Sequence, residues 1–112
     1  MKTKQVIKAL SALAQKSRLA VFRLLVEAGP AGMAAGKIGE TLDIPAATLS
    51  FHLKELSNAE LLMSRQESRF VIYAANYPAM TELMGFLTGI RSLISPILAI
   101  VKAIRSYVKS RR

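Results

Sequence analysis

Apolar positions along the chain recur first at helical spacing and then at alternating spacing. Val6, Leu10 and Leu13, with Ile7 and Ala14 beside them, predict a helix over residues 3–14. Ser17 can cap a second helix, whose Leu19, Phe22 and Val26 stripe ends at Ala28, before Gly29 and Pro30 stop it. After a loop holding Gly32, Ile38 and Leu42 mark a short helix over 34–42. Asp43-Ile44-Pro45 reads as a tight turn, and Pro45 suits the first position of a fourth helix that reaches Asn58. Residues 61–66 and 69–74 then read as two short strands of a hairpin that turns at Glu67-Ser68. Helical spacing returns after Asn76-Tyr77-Pro78.

This order predicts a mainly α fold with a small β-hairpin. A short helix, a tight turn, a longer helix and a hairpin make a winged helix-turn-helix, whose second motif helix, here residues 45–58, lies in the major groove of DNA. On a wheel centred on Leu49, Leu53 and Leu56 fall within about 40° and Ala46 about 60° away, which defines the buried face. Ala47, Phe51, Lys54 and Asn58 fall opposite, with Thr48, Ser50 and Glu55 on the flanks. An outward Phe51 makes sense against thymine methyl groups, and a contact with a neighbouring loop is the alternative. Thr48 and Ser50 can bond to phosphate or base edges, and Lys54 to phosphate. His52 sits beside the core, as a partly buried histidine bonded to a backbone or phosphate group. Arg65 and Arg69 bracket the hairpin tip with Gln66 between them; they read as a wing gripping phosphate, or as edge-strand charge that blunts aggregation.

The last helix carries the longest pattern. Met80, Leu83, Leu87, Ile90, Ile94, Ile97, Val101, Ile104 and Val108 alternate spacings of three and four, a heptad seam, and Phe86, Leu93, Ile100 and Tyr107 add a third row. The width predicts packing against both a partner's copy and the first helix. Pro96 predicts either a kink or a new helix capped by Ser95. A cationic amphipathic helix lying on an anionic membrane is the rival reading.

Charge sharpens the picture. The 112 residues carry a net charge of +9, unevenly spread. Residues 1–26 hold six Lys or Arg and no acid, residues 27–89 four bases and seven acids, and residues 90–112 six bases and no acid. Such a chain suits a polyanionic partner. Residues 45–75 are electrically balanced, so affinity for DNA cannot come from this motif's net charge alone, and the basic N-terminal region or the basic tail is expected to contribute a field. The chain has no cysteine and one histidine, which removes thiolate metal sites and disulfides and argues against Ser–His–Asp chemistry. No constellation of catalytic groups converges on one face, so the expected chain is no enzyme, with no cofactor and no metal. The longest uncharged stretch, 70–81, falls short of a membrane span, and no signal-peptide pattern follows Met1, which predicts a cytoplasmic protein.

The runs Leu10-Ser11-Ala12-Leu13-Ala14, Ser17-Arg18-Leu19 and Phe22-Arg23-Leu24-Leu25 resemble the ArsR-type (arsenic-repressor-like) winged-helix regulators. The most specific stretch is Ala47-Thr48-Leu49-Ser50-Phe51-His52-Leu53-Lys54-Glu55-Leu56, continued by Ala59, Leu61, Leu62, Arg65 and the strand from Phe70 to Tyr73. The resemblance spans roughly residues 6–88. It implies a homodimeric repressor that binds a palindromic operator, dimerises through its first and last helices and is released by an inducer. It also places Ser50, His52 and Arg65 near DNA.

The sequence departs from the family in three respects. The third helix has no cysteine. After Tyr77 only Glu82 could serve as a carboxylate ligand, and Phe86-Leu87-Thr88 is followed by Gly89-Ile90-Arg91 rather than adjacent cysteines. Glu60 stands where relatives often have glycine, which would reshape the exit of the recognition helix.

The expected organisation is one winged-helix domain over residues 1–112, with 78–112 as an extended dimerisation helix and basic tail. Double-stranded DNA would meet Thr48, Ser50, Phe51, His52, Lys54, Arg65, Gln66 and Arg69. A second copy would meet Val6, Leu10, Leu13, Met80, Leu83, Leu87, Ile90, Ile94, Ile97, Val101 and Ile104. A small-molecule inducer of unknown identity completes the expected partners, and a membrane is the disfavoured one. The alternative is a winged-helix protein- or membrane-interaction module without specific DNA reading.

Overall fold

The structure, a computed structural model, describes residues 1–110 apart from the side chains of 90–95. Its elements run α1 (Thr3–Leu13), α2 (Lys16–Ala28), β1 (Met33–Ala34), α3 (Ala35–Leu42), α4 (Ala46–Asn58), β2 (Leu62–Glu67), β3 (Phe70–Ala75) and α5 (Tyr77–Ser110). The core draws on every helix: Val6 and Ala9 from α1, Val21 and Leu25 from α2, Ile38 from α3, Leu49, Leu53 and Leu56 from α4, and Leu83 from α5. Leu61, Leu62 and Ala75 close it at the base of the hairpin.

The start of α2 differs from expectation. Gln15 is the cap, its side-chain oxygen accepting from Arg18 N at 2.8 Å, and Ser17 lies inside the helix. Only Ala14 and Gln15 separate α1 from α2, and Gln15, extended at φ −146° and ψ 131°, takes the capping role.

The sheet has three antiparallel strands in the order β1-β3-β2. β1 falls in the segment expected to be loop. Met33 and Ala34 pair with Tyr73 and Ile72. Two residues carry no periodicity; they become a strand only because β3 offers its free edge.

The hairpin sits one residue later than expected, turning at Ser68-Arg69, with Glu67 opposite Phe70 and Leu62 opposite Ala75. Ser68 takes φ +58°, the positive value that tight primed turns need at their first central residue. A one-residue slip would swap the faces of every strand residue, and burial of Leu62 and Ala75 selects this register.

Helix α4 ends in a full Schellman motif. Leu61 N donates to Leu56 O at 3.0 Å and Glu60 N to Ser57 O at 2.9 Å. Glu60 occupies the left-handed position at φ +63°, as its place in the chain foreshadows. Asn76 Nδ2 donates to Glu60 O at 2.8 Å and Asn76 N to Leu61 O at 2.9 Å, so the far end of the hairpin ties back to the α4 exit. A side chain at positive φ costs about 1 kcal/mol. Glu60→Gly is therefore expected to stabilise the protein by up to about 1 kcal/mol, less what is lost to the freer unfolded chain. Urea unfolding of the two proteins at equal concentration checks this.

Helix α5 runs 34 residues without interruption, with Pro96 inside it. The expectation of a new helix at Ser95 is corrected. A proline removes one N–H and crowds one carbonyl, at about 3 kcal/mol, and the turns on either side keep their bonds. At 1.5 Å per residue the helix is about 51 Å long, consistent with molecular extents of 62 × 34 × 22 Å. The Cα radius of gyration, 18.2 Å, exceeds the roughly 13 Å of a compact chain this size.

Its apolar seam divides into two parts. Leu83 is buried and Met80 and Leu87 pack on the protomer's own core. Ile97, Val101 and Ile104 stand exposed. Two residues expected at a dimer interface, Val6 and Leu83, are thus core residues of the single chain, with Leu13 half-buried against the same core. A seam read from spacing cannot tell an intramolecular neighbour from a partner. Ile90 and Ile94 lie outside the described side chains. Among the described side chains of α1 and the first half of α5, the large apolar residues left open are Ile7, Leu10, Met84 and Phe86.

Candidate nucleic-acid interface

Helix α4 separates two faces as its sequence predicts. Leu49, Leu53 and Leu56 are buried, while Ala47, Thr48, Ser50, Phe51, Lys54 and Asn58 are exposed. Ala46, expected near the buried face, is exposed in the first turn. Phe51 is 55% exposed. Its ring tilts against the His52 ring, with centroids 5.9 Å apart. The loop contact considered for Phe51 does not cover it. The tight turn before α4 is held by Asp43, left-handed at φ +54°, with Ile44 N donating to Gly39 O at 3.0 Å.

His52 lies behind this face. It is 6% exposed, and its Nδ1 sits 3.4 Å from an Arg18 guanidinium nitrogen. The expected backbone or phosphate partner is thus replaced by a side chain from α2. Arg18 Nε also donates to Ala12 O at 2.7 Å. One guanidinium therefore ties the end of α1 and the body of α4 to the start of α2. An arginine always donates, so Nδ1 must accept, which places the neutral ring's proton on Nε2. Burial, with Arg18 adding to it, holds the imidazolium pKa below its ordinary 6.5. The unfolded chain therefore binds a proton at higher pH than the folded one. Stability is fully present above pH 6.5 and is lost as pH falls through the depressed folded value. Unfolding midpoints measured downward from pH 7 should fall, and His52→Gln should flatten that dependence.

The wing corrects the expectation for Arg65. It pairs opposite Ile72, two rungs from the turn, so only Arg69 sits at the tip. Arg65 is held by its own chain: its guanidinium donates to Pro30 O at 3.2 Å, Ala31 O at 2.6 Å and Glu67 Oε1 at 2.9 Å. Gln66 Nε2 donates to Ser68 O at 3.1 Å within the turn. Sequence reasoning missed the Pro30 and Ala31 carbonyls, which lie 35 and 34 residues away. Bare backbone oxygens leave no mark in a side-chain pattern. Tyr77 adds a further anchor, its hydroxyl donating to Val26 O at 3.0 Å and joining the start of α5 to the end of α2.

Among the described residues no group of three or more His, Cys, Asp or Glu could hold a metal ion. Among them, too, no helix is long and apolar enough to cross a membrane.

A family model described as a helix-turn-helix domain matches residues 13–65. The helix-turn-helix-type transcriptional regulator YceK of Bacillus subtilis, itself uncharacterised, is 40% identical over 84 residues, covering 74% of this chain and 80% of YceK. An ArsR-like transcriptional regulator from Rhodococcus sp. RHA1 superposes with a TM-score of 0.72 at 22% identity, over 90% of this chain and 92% of that one. The homodimeric winged helix-turn-helix DNA-binding domain of Mb0332 from Mycobacterium bovis, a possible ArsR-family regulator, gives 0.62 at 22% identity, over 82% and 84%. With α4 presenting an exposed face beside a three-stranded wing, the chain belongs to the helix-turn-helix transcriptional regulators, in the ArsR-type winged-helix fold.

Proposed function

We propose that the protein is a repressor that binds a palindromic operator as a homodimer, with α4 in the major groove and the hairpin as wing, and that an inducer not held by thiolates releases it. The observation that carries this reading is the exposed face of α4. A phenylalanine, two hydroxyls and a lysine stand outward there on a helix whose other face buries Leu49, Leu53 and Leu56. Thr48 and Ser50 offer donors and acceptors to base edges, Phe51 an apolar contact for thymine, and Lys54 a phosphate partner. Arg69 at the wing tip serves phosphate, with Gln66 beside it. Arg65 fixes the wing against the α2–β1 loop, and buried His52 fixes the helix. The homodimer is supported by the exposed Ile7, Leu10 and Met84 on the two helices expected to pair, and by the homodimeric Mb0332 fold. The absence of cysteine from the chain supports an inducer bound without thiolates.

Selection of bound duplexes from a random pool, repeated at two salt concentrations, tests the proposal. The expected product is a two-fold-symmetric site with half-sites about one helical turn apart. Ser50→Ala should relax base preference in one position of each half-site. Lys54→Gln should weaken all sequences alike and flatten the salt dependence. Binding without enrichment, lost steeply with salt, would instead favour non-specific association.

A further inference from the structure

We propose that the distal part of α5, residues 97–110, docks on an anionic lipid surface. Ile97, Ile100, Val101, Ile104 and Val108 are all exposed, three of them at 58–60%. On a wheel centred on Ile104 these five lie within about 60° of it, a single aliphatic strip. Arg105, Lys109 and Lys102 follow along one margin, at about 100–160°. Tyr107 lies at the opposite edge of the strip, about 60° from Ile104, and Leu98 stands exposed among the cations at about 120°. The remainder of the surface is Ala99, Ala103, Ser106 and Ser110.

Charge decides which occupant suits this strip. The heptad pattern points to a second copy, whose cations would then need acids across the seam. No acid follows Glu82 in the chain, and residues 1–26 contain none either. Glu82 itself is engaged by the N-terminal amine at 3.5 Å. Self-association of the distal halves would therefore gather basic side chains with nothing to neutralise them. A bilayer carrying anionic headgroups answers both features. It accepts an aliphatic strip without needing a shaped groove, and its phosphates meet cations whose stems reach outward from the strip. At 14 residues the segment is about 21 Å long, suited to lying in the interface rather than crossing it. The proximal half of α5 stays with the protomer core, so docking of the distal half leaves the domain intact.

Co-sedimentation of the full chain with vesicles tests this. Vesicles mixing phosphatidylcholine with phosphatidylglycerol should bind at least about tenfold more tightly than phosphatidylcholine alone, and salt should reduce the difference. Ile104→Asp lies outside the core and should abolish pelleting, with the helical circular dichroism signal retained. The combined variant Lys102→Gln, Arg105→Gln and Lys109→Gln should lose the preference for anionic vesicles. A wild-type chain that stays in the supernatant overturns the proposal, as does an Ile104→Asp chain that pellets normally. If Ile104→Asp halves the mass in light scattering and wild-type pelleting is absent, the strip belongs to a second copy. Capture by polyglutamate without vesicle binding assigns it to an acidic protein partner. Duplex binding by the wild type, measured in parallel without vesicles, reports separately on the DNA reading.

Discussion

Gly32→Ala is expected to loosen the wing and lower stability by about 2–3 kcal/mol. Gly32 lies at φ +68°, where an L side chain is strained whatever the space around it. The space is also missing: an added Cβ would collide with the Tyr73 carbonyl oxygen and come within 3.0 Å of the Ile72 side chain. Those two residues are the ones that pair with Met33 and Ala34. Relief therefore requires β1 to leave β3, or the loop from Pro30 to Gly32 to swing outward. Either movement takes the Pro30 and Ala31 carbonyls away from Arg65. Chemical unfolding gives the stability change, and titration of selected duplexes gives the affinity change. DNA binding should weaken even at denaturant-free concentrations where the chain stays folded, because the wing loses its orientation first. An unchanged unfolding midpoint would mean that the loop reshapes without strain.

The second large effect separates the two faces of α4. Leu56 is fully buried, and Leu56→Ala should cost about 2–5 kcal/mol through lost transfer energy and the cavity left behind. Phe51, five residues earlier on the same helix, is 55% exposed, and Phe51→Ala should move stability by no more than about 0.5 kcal/mol. Their effects on DNA should run the other way. Phe51→Ala should alter sequence preference in a folded protein, whereas Leu56→Ala should keep the preference in whatever fraction remains folded. Unfolding and pool selection on both variants read out the pair at a fixed protein concentration, since an associating protein's stability depends on it. A Phe51→Ala protein with wild-type stability and wild-type preference would remove Phe51 from the interface.

The elements differ in how far the amino-acid order revealed them. The helices from α1 to α4 follow from three- and four-residue apolar spacing and from breakers such as Gly29, Pro30 and Pro45, because a helix forms from neighbours in sequence. The exposed face of α4 follows from the same periodicity. The hairpin was legible as two strands, yet its register was not, since register depends on which cross-strand neighbours are buried together. β1 was invisible, because its strand character comes from a partner some forty residues on. For the candidate interface, spacing identified Thr48, Ser50, Phe51 and Lys54 as outward residues. It placed Arg65 at the hairpin tip rather than at the third pair down the strand, and it did not show the distant carbonyls that hold Arg65 or the partner of His52, which comes from α2.

Sequence alone determined the helical framework, the polarity of the recognition helix, the absence of thiolate chemistry and the concentration of positive charge at both ends of the chain. These depend on residue type and local period, which are readable without coordinates. Tertiary structure decided which apolar residues serve the protomer's own core and which face outward. Leu83 shares the seam's spacing with Ile97 and Ile104, yet the first is buried and the last two are open. Spacing fixes the side of a helix on which a residue lies; only the packed chain fixes what stands opposite it.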